Sequence, residues 1–307
     1  MSDLIITHVD LDGVCSASLA KRYLGTDPYV IFTSPRSLGR HLTKVREGHE
    51  RIVITDVSLN HDQFPLVWNE LNRLVSSGSK VIWVDHHDWD ADDAKKVQEI
   101  CELTLEQSPS AASLFYKKYS GQDEIGKKIA EIGDDADTNA NSLPNTLAYK
   151  HGSWNFKDRL LLIDAFSNGE FEGEFLEEWK KELKEETDDA QDLVASLKAR
   201  VTKMGKRYAV LDVRGRKAPG TYAAKVAAEK LDLDFACVIY SYKSVSFYRG
   251  MRDVDLLPLA LRHGGGGHPY ACGANPRASL TEKIACALFK HHNTKEINQI
   301  LTELEEV

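Results

Sequence analysis

The segment Val81–Asp88, V-I-W-V-D-H-H-D, constrains the fold more than any other. Four apolar residues in a row suit a strand buried on both faces, as in a parallel sheet covered by helices. An aspartate and two histidines follow at once, at the carboxyl end where open α/β sheets bind ligands. Polar groups placed there are costly unless something pairs with them, and a metal ion is the usual partner. A turn that merely contains two histidines is the plain alternative, so the other strand ends have to decide.

They point the same way. Leu4–Thr7 is a short apolar run ending in His8-Val9-Asp10-Leu11-Asp12-Gly13, and Val14–Leu24 then carries apolar residues at helical spacing. Tyr29–Thr33 reads as a second strand. Arg51–Thr55 is a third, ending at Asp56 and followed by an amphipathic helix over about Gln63–Val75. Lys80–Val84 is the fourth, ending in Asp85-His86-His87. Strands alternating with helical patterns imply βαβ units and a parallel sheet. One acidic strand end could be a helix N-cap; three of four are harder to dismiss. His8, Asp10, Asp12, Asp56, Asp85, His86 and His87 in one crevice would repel each other without cations. Mixed imidazole and carboxylate ligands suit manganese, with iron or zinc behind it. There are more ligands than one ion needs, with aspartates able to bridge. That suggests two ions, the usual device for displacement at phosphorus.

Composition narrows the class. The chain has 307 residues, 42% hydrophobic and 28% charged, enough for two domains with sizeable cores. No apolar run approaches the ~20 residues of a membrane span, and the N-terminus lacks the features of a signal peptide. Five scattered cysteines without C-x-x-C spacing fit reduced thiols and a cytoplasmic location. A formal charge of −8 argues against a broad, unspecific grip on nucleic acid, though not against a short anionic substrate.

The C-terminal half reads as a second unit. Residues 142–199 are helical in pattern; Leu160–Phe166 looks like core, and the acidic stretch Glu170–Asp192, with Trp179, Leu183 and Leu193 as its sparse apolar positions, reads as a solvated helix leading to a linker. From Lys203 onward, Tyr208–Val213 and Phe235–Tyr240 are strands, with the helix Thr221–Leu231 between them and Val245–Tyr248 as a hairpin partner. Val254–Leu261, Leu280–His291 and Lys295–Leu304 are helical. Four glycines, Gly264–Gly267, sit between His263 and His268. Such a run is entropically expensive and is plausible as a phosphate-binding nest; a flexible loop is the alternative. His291-His292 has no accompanying acid cluster and no expected metal role.

In motif order this chain resembles the DHH phosphoesterase superfamily, named for a triplet here at Asp85-His86-His87. His8–Gly13 matches its H-x-D-x-D-G motif, and Asp56 its lone aspartate after a strand. Gly133-Asp134-Asp135-Ala136-Asp137-Thr138 matches its fourth motif, with Asp137 selected and Asp134 as runner-up. The segment G-G-G-G-H-P-Y-A-C-G-A resembles the signature of the DHH-associated domain DHHA1. The resemblance implies an α/β chain: a parallel-sheet DHH domain (1–185), a linker helix (186–202) and a smaller α/β DHHA1 domain (203–307), with the active site in the cleft between them. By the family's pattern His8, Asp10 and Asp56 bind one metal, and Asp12, Asp56, His86 and Asp137 the other. His87 then faces the substrate phosphate and Asp85 orients the histidines. Gly265, Gly266, Gly267 and His268 bind the nucleotide, with Arg249 or Arg252 as the phosphate-contacting arginine. The implied activity is a compact nanoRNase-type phosphodiesterase cutting short RNAs or linear dinucleotides, pGpG among them, to mononucleotides, with a homodimer allowed. A RecJ-type single-strand exonuclease is the alternative, and a catalytically inactive scaffold a more distant one.

Overall fold

A computed structural model describes residues 3–307. Its contacts divide the chain into two compact units, up to Lys180 and from Lys181.

The first unit opens with β1 (Leu4–Thr7), α1 (Leu11–Leu24), β2 (Tyr29–Phe32), α2 (Leu38–Leu42), β3 (Arg51–Thr55), α3 (Phe64–Ser76) and β4 (Lys80–Asp85). It continues through α4 (Ala91–Ile100), β5 (Glu102–Leu105), α5 (Ala111–Phe115), α6 (Glu124–Asp137), α7 (Thr146–Gly152), α8 (Phe156–Ser167) and the start of α9 (Glu174–Ala195). The sheet order is β2-β1-β3-β4-β5 and every pairing is parallel. The alternation within its strands explains why they read as unbroken apolar runs. Ile5, Val53, Ile82 and Val84 enter one core with α1, α5, α6 and α8. Leu4, Ile6, Ile52, Ile54 and Trp83 enter another with α2 and α3. Both faces are therefore dry. The chain winds outward in opposite senses from β1 and β3, and the crevice for ligands opens at the carboxyl ends where that order reverses.

Two local readings change. Helix α1 begins at Leu11 rather than Val14, because Asp10 is its N-cap and accepts from the Gly13 amide at 3.1 Å. Asp12 and Gly13 thus lie in a helical turn. The sheet also has a fifth strand, β5, too short and polar to stand out from its flanks.

The second unit holds the end of α9, then β6 (Arg200–Val201), β7 (Arg207–Asp212), α10 (Gly220–Leu231), β8 (Phe235–Ser241), β9 (Ser244–Arg249) and α11 (Leu257–Arg262). β10 (Gly266–His268), β11 (Ala271–Ala274), α12 (Leu280–Leu288) and α13 (Lys295–Leu304) complete it. Its mixed sheet has the order β10-β11-β9-β8-β7-β6. The α9 helix is less solvated than its charge suggests: Leu176 and Trp179 are buried in the first unit's core, and Ala190, Leu193 and Val194 in the second's. The four glycines are not one loop. Gly266 and Gly267 form β10, pairing antiparallel with Gly273 and Cys272.

Candidate metal centre

Adjacent strands deliver the cluster. His8 follows β1, with Asp10 and Asp12 at the start of α1; Asp56 follows β3; Asp85 closes β4, and His86 and His87 come next. The close turn after β1 needs Gly13, since a Cβ there would stand 2.4 Å from the His8 carbonyl oxygen. Asp56 sits at φ 56°, a left-handed conformation that aspartate tolerates better than most residues. That turn tucks the carboxylate inward, where it is 2% exposed.

Three overlapping sets of side chains bring potential ligand atoms within 4.8 Å of one another: His8, Asp10 and Asp56; Asp12, His86 and Asp137; and Asp56, His86 and His87. His8 Nδ1 lies 2.8 Å from Asp10 Oδ2 and 4.0 Å from Asp56 Oδ2. His86 Nε2 lies 3.8 Å from both Asp12 and Asp56 and 3.6 Å from Asp137. His86 Nε2 and Asp56 Oδ2 are buried with no hydrogen-bond partner in the protein. Buried polar atoms left so are rare unless a ligand completes them, and this donor set fits divalent cations.

Burial, and repulsion between the carboxylates after it, show in the pKa values. Burial raises the Asp12 carboxyl to about 7, against the Ala112 and Ala111 amides that donate to it and with Asp10 and Asp137 adding to the rise. Burial and the charges of Asp12 and Asp10 push Asp56 well above the ordinary carboxylate range. Burial also opposes ionisation of Asp10, but its hydrogen bond to His8 and the His8 charge prevail and hold it at about 2. His87 is raised by its hydrogen bond to Asp85, 2.8 Å away. Asp85, fully buried, also accepts from the Trp89 indole at 2.6 Å.

The fourth motif sorts itself by partners. Asp134 accepts from the hydroxyls of Ser110 and Ser113 at 2.5 and 2.7 Å. Asp135 accepts from the Ser142 and Leu143 amides and from the Ser142 and Thr146 hydroxyls. Asp137, 33% exposed on its side chain, faces His86. Asp10, Asp12 and Asp137 line a hollow of about 300 Å³ with Lys150. Lys150 bonds the Ala136 carbonyl and the Asn139 side chain, both at 3.2 Å.

The segment Ser108–Ala112 escaped the reading of the sequence. Its amides at Ala111 and Ala112 hold Asp12 at 2.7 and 3.0 Å, and the Ser108 carbonyl holds His86. The signal was a Ser-Pro-Ser before Ala-Ala, where Ser110 caps α5. A fourth set, His61, Asp90 and Asp93, lies apart; Asp90 caps α4 and Asp93 bonds His61, so those atoms are already employed.

In the second unit, the glycines divide by structural demand. A Cβ on Gly265 would meet the Gly273 carbonyl at 1.7 Å, and one on Gly267 the Ala271 carbonyl at 2.6 Å; Gly264 has φ 68°. Gly266 alone of the four faces open space with an ordinary φ. His268 stacks on Tyr270 at 5.1 Å, and the Arg249 guanidinium lies 5.9 Å from the Tyr270 ring. Arg249 also pairs with Asp253 at 2.5 Å, and Arg252 is tied to Asp232 and Asp234 at 3.1 Å. His263, between α11 and the glycines, is clamped by Glu296 and Glu303, and His291 pairs with Asp212.

Comparison with known proteins gives the class. Residues 4–134 match the DHH family, N-terminal domain. That match, with the clustered ligand side chains, indicates a metal-dependent phosphoesterase. It is 23% identical over 316 residues to oligoribonuclease NrnB of Bacillus subtilis (strain 168), covering 93% of this chain and 76% of the relative. In fold it is similar to the pGpG-specific phosphodiesterase PggH from Vibrio cholerae, with a TM-score of 0.60 at 16% identity, covering 98% of this chain and 99% of the other. It is also similar to exonuclease RecJ bound to manganese, with a TM-score of 0.58 at 14% identity over 97% and 92% of the two chains. The likeness to the DHH family is thus carried by the family match over residues 4–134 and by a shared fold over nearly the whole chain. Among the described residues no helix is long and apolar enough to cross a membrane.

Proposed function

We propose that the chain hydrolyses short linear oligonucleotides or dinucleotides, pGpG included, to mononucleotides, using two divalent ions, manganese first among them. His8, Asp10 and Asp56 hold one ion; Asp12, Asp56, His86 and Asp137 hold the other. The observation that carries the reading is that two buried atoms lack a partner: His86 Nε2, which faces Asp12, Asp56 and Asp137, and Asp56 Oδ2, which lies toward His8. When bound, the ions supply an acidified water as nucleophile and positive charge against the phosphoryl oxygens. His87 faces the phosphate, its Nδ1–H held by Asp85, so that protonated Nε2 donates to the substrate. Arg249, Gly265, Gly266, Gly267 and His268 take the nucleotide portion. Arg249 is preferred to Arg252 because it serves one exposed aspartate, Asp253, where Arg252 serves two. Gly266, with open space where a side chain would project, suits close approach of a ligand.

The short-substrate reading draws support from the names of the oligoribonuclease and pGpG phosphodiesterase relatives and from the net charge of −8. It includes a cytoplasmic protein with reduced thiols, and a homodimer as the assembly to look for by light scattering. A labelled ladder of two to twenty nucleotides, digested with Mn²⁺, tests it: dimers are expected to vanish first. Long oligomers disappearing as fast as dimers would favour a RecJ-type exonuclease. No turnover despite bound manganese would leave a scaffold.

A further inference from the structure

The cluster does not account for Arg159 on α8. Its Nη1 donates to the Val9 carbonyl at 3.0 Å, inside the first motif. Its Nε is buried with no partner in the protein, and among the described residues it makes no ion pair. Burial lowers its pKa, and Asp10 pulls the other way. The guanidinium lies 4.6 Å over the Phe32 ring. Phe156 stands edge-on to that same ring at 5.6 Å and is itself 53% exposed. The register Thr7↔Phe32 sets Phe32 at the carboxyl end of β2, next to the strand that delivers His8 and Asp10. A cation without an ion-pair partner and an open aromatic ring therefore extend the ligand edge of the sheet by one strand.

Leaving a half-buried guanidinium without a carboxylate is unfavourable unless an anion arrives. A nucleotide presents both a phosphate for the arginine and a flat base for the ring. We propose that Arg159 and Phe156 form a nucleotide subsite on the first unit, the guanidinium taking a phosphate oxygen and Phe156 stacking the base of the residue beside the scissile bond. The inference rests on the phosphodiesterase reading and deepens it: a substrate with a nucleotide on this side is favoured over a bisphosphate that lacks one.

The test is calorimetric binding of a dinucleotide analogue with a methylene group in place of the bridging oxygen, to the manganese-loaded protein. Phe156→Ala is expected to weaken binding about tenfold, within the range for loss of one stacked base, and Phe156→Trp to restore it. Arg159→Gln is expected to weaken it similarly and Arg159→Lys less, with manganese affinity held within about twofold in the Phe156 variants. In turnover, KM rises more than kcat falls. Wild-type binding with unchanged affinity in Phe156→Ala and Arg159→Gln overturns the subsite alone. The same result accompanied by a dimer falling to monomer in Phe156→Ala also overturns it and makes the patch a self-association face. A wild-type protein that neither binds nor cleaves dinucleotides overturns the phosphodiesterase reading as well.

Discussion

His86 Nδ1 donates to the Ser108 carbonyl at 3.0 Å. A carbonyl can only accept, so the proton sits on Nδ1 and the Nε2 lone pair faces Asp12, Asp56 and Asp137. This is the outer-shell arrangement that fixes the tautomer of a metal-ligating imidazole. His86→Gln is expected to weaken manganese binding at least about tenfold, measured by calorimetry, with the fold retained by circular dichroism. Unaltered affinity would remove His86 from the centre.

Asp56 is shared by two of the ligand sets, so Asp56→Asn should cut turnover by three orders of magnitude or more, on the order of 4 kcal/mol in the barrier. Asparagine also tolerates the left-handed backbone at this position. The metal-free protein gives a second readout. Asp12 and Asp56 have folded pKa values above the ordinary 3.8. Between roughly pH 4 and 7 the folded state keeps protons that the unfolded chain has lost, so their contribution to stability falls as pH rises. Chelated wild type is expected to lose more melting temperature between pH 5.5 and 7.5 than chelated Asp56→Asn, and manganese to restore the wild type. Equal losses in both would contradict the raised Asp56.

Asp85 holds His87 on one oxygen and Trp89 on the other. Asp85→Asn keeps the shape but removes the charge that supports a protonated His87. We expect kcat to fall about a hundredfold, in the range for loss of a positioned proton donor, with KM little changed. A fall confined to KM would instead assign His87 to ground-state binding.

Gly265 and Gly266 should behave oppositely. Gly265→Ala forces a Cβ against the Gly273 carbonyl and is expected to lower the melting temperature of the second unit by several degrees. Gly266→Ala meets nothing and should melt like wild type, while KM for a dinucleotide rises. Matching KM values for wild type and Gly266→Ala would detach the glycines from the substrate.

Asp135 is a stability residue. Burial opposes its ionisation, but the Ser142 and Thr146 hydroxyls and the amides behind them hold it at about 2. Asp135→Ala is expected to cost about 3 kcal/mol in urea unfolding, as for loss of hydrogen bonds to a charged group. Because the folded pKa is depressed, that difference should be full above pH 4 and shrink as pH falls toward 2. A difference independent of pH would mean that the carboxylate charge is not what counts.

Much of this site was legible because its motifs lie at the ends of short apolar runs. A period of two with both faces buried reads as unbroken Leu, Ile and Val in Leu4–Thr7 and Arg51–Thr55, and the polar residues that end them share one edge of the sheet. Helical spacing could not separate Asp134 from Asp137, three residues apart and so on neighbouring parts of one face of α6. The serines of α5 separate them: they occupy Asp134 and leave Asp137 toward His86. Arg249 and Arg252 are likewise alike in sequence, and only folding shows that the first pairs with Asp253 and the second with Asp232 and Asp234.

What the sequence alone determined was the alternation of strands and helices and the chemistry waiting at three strand ends, since both follow from local periodicity. The pairing of those groups was decided only by tertiary structure. Asp12 meets the Ala111 and Ala112 amides about a hundred residues downstream, His86 meets Ser108, and Arg159 reaches Val9 across 150 positions. Hydrogen bonds and burial act over a few ångströms of space, and no spacing along the chain records which distant backbone will arrive there.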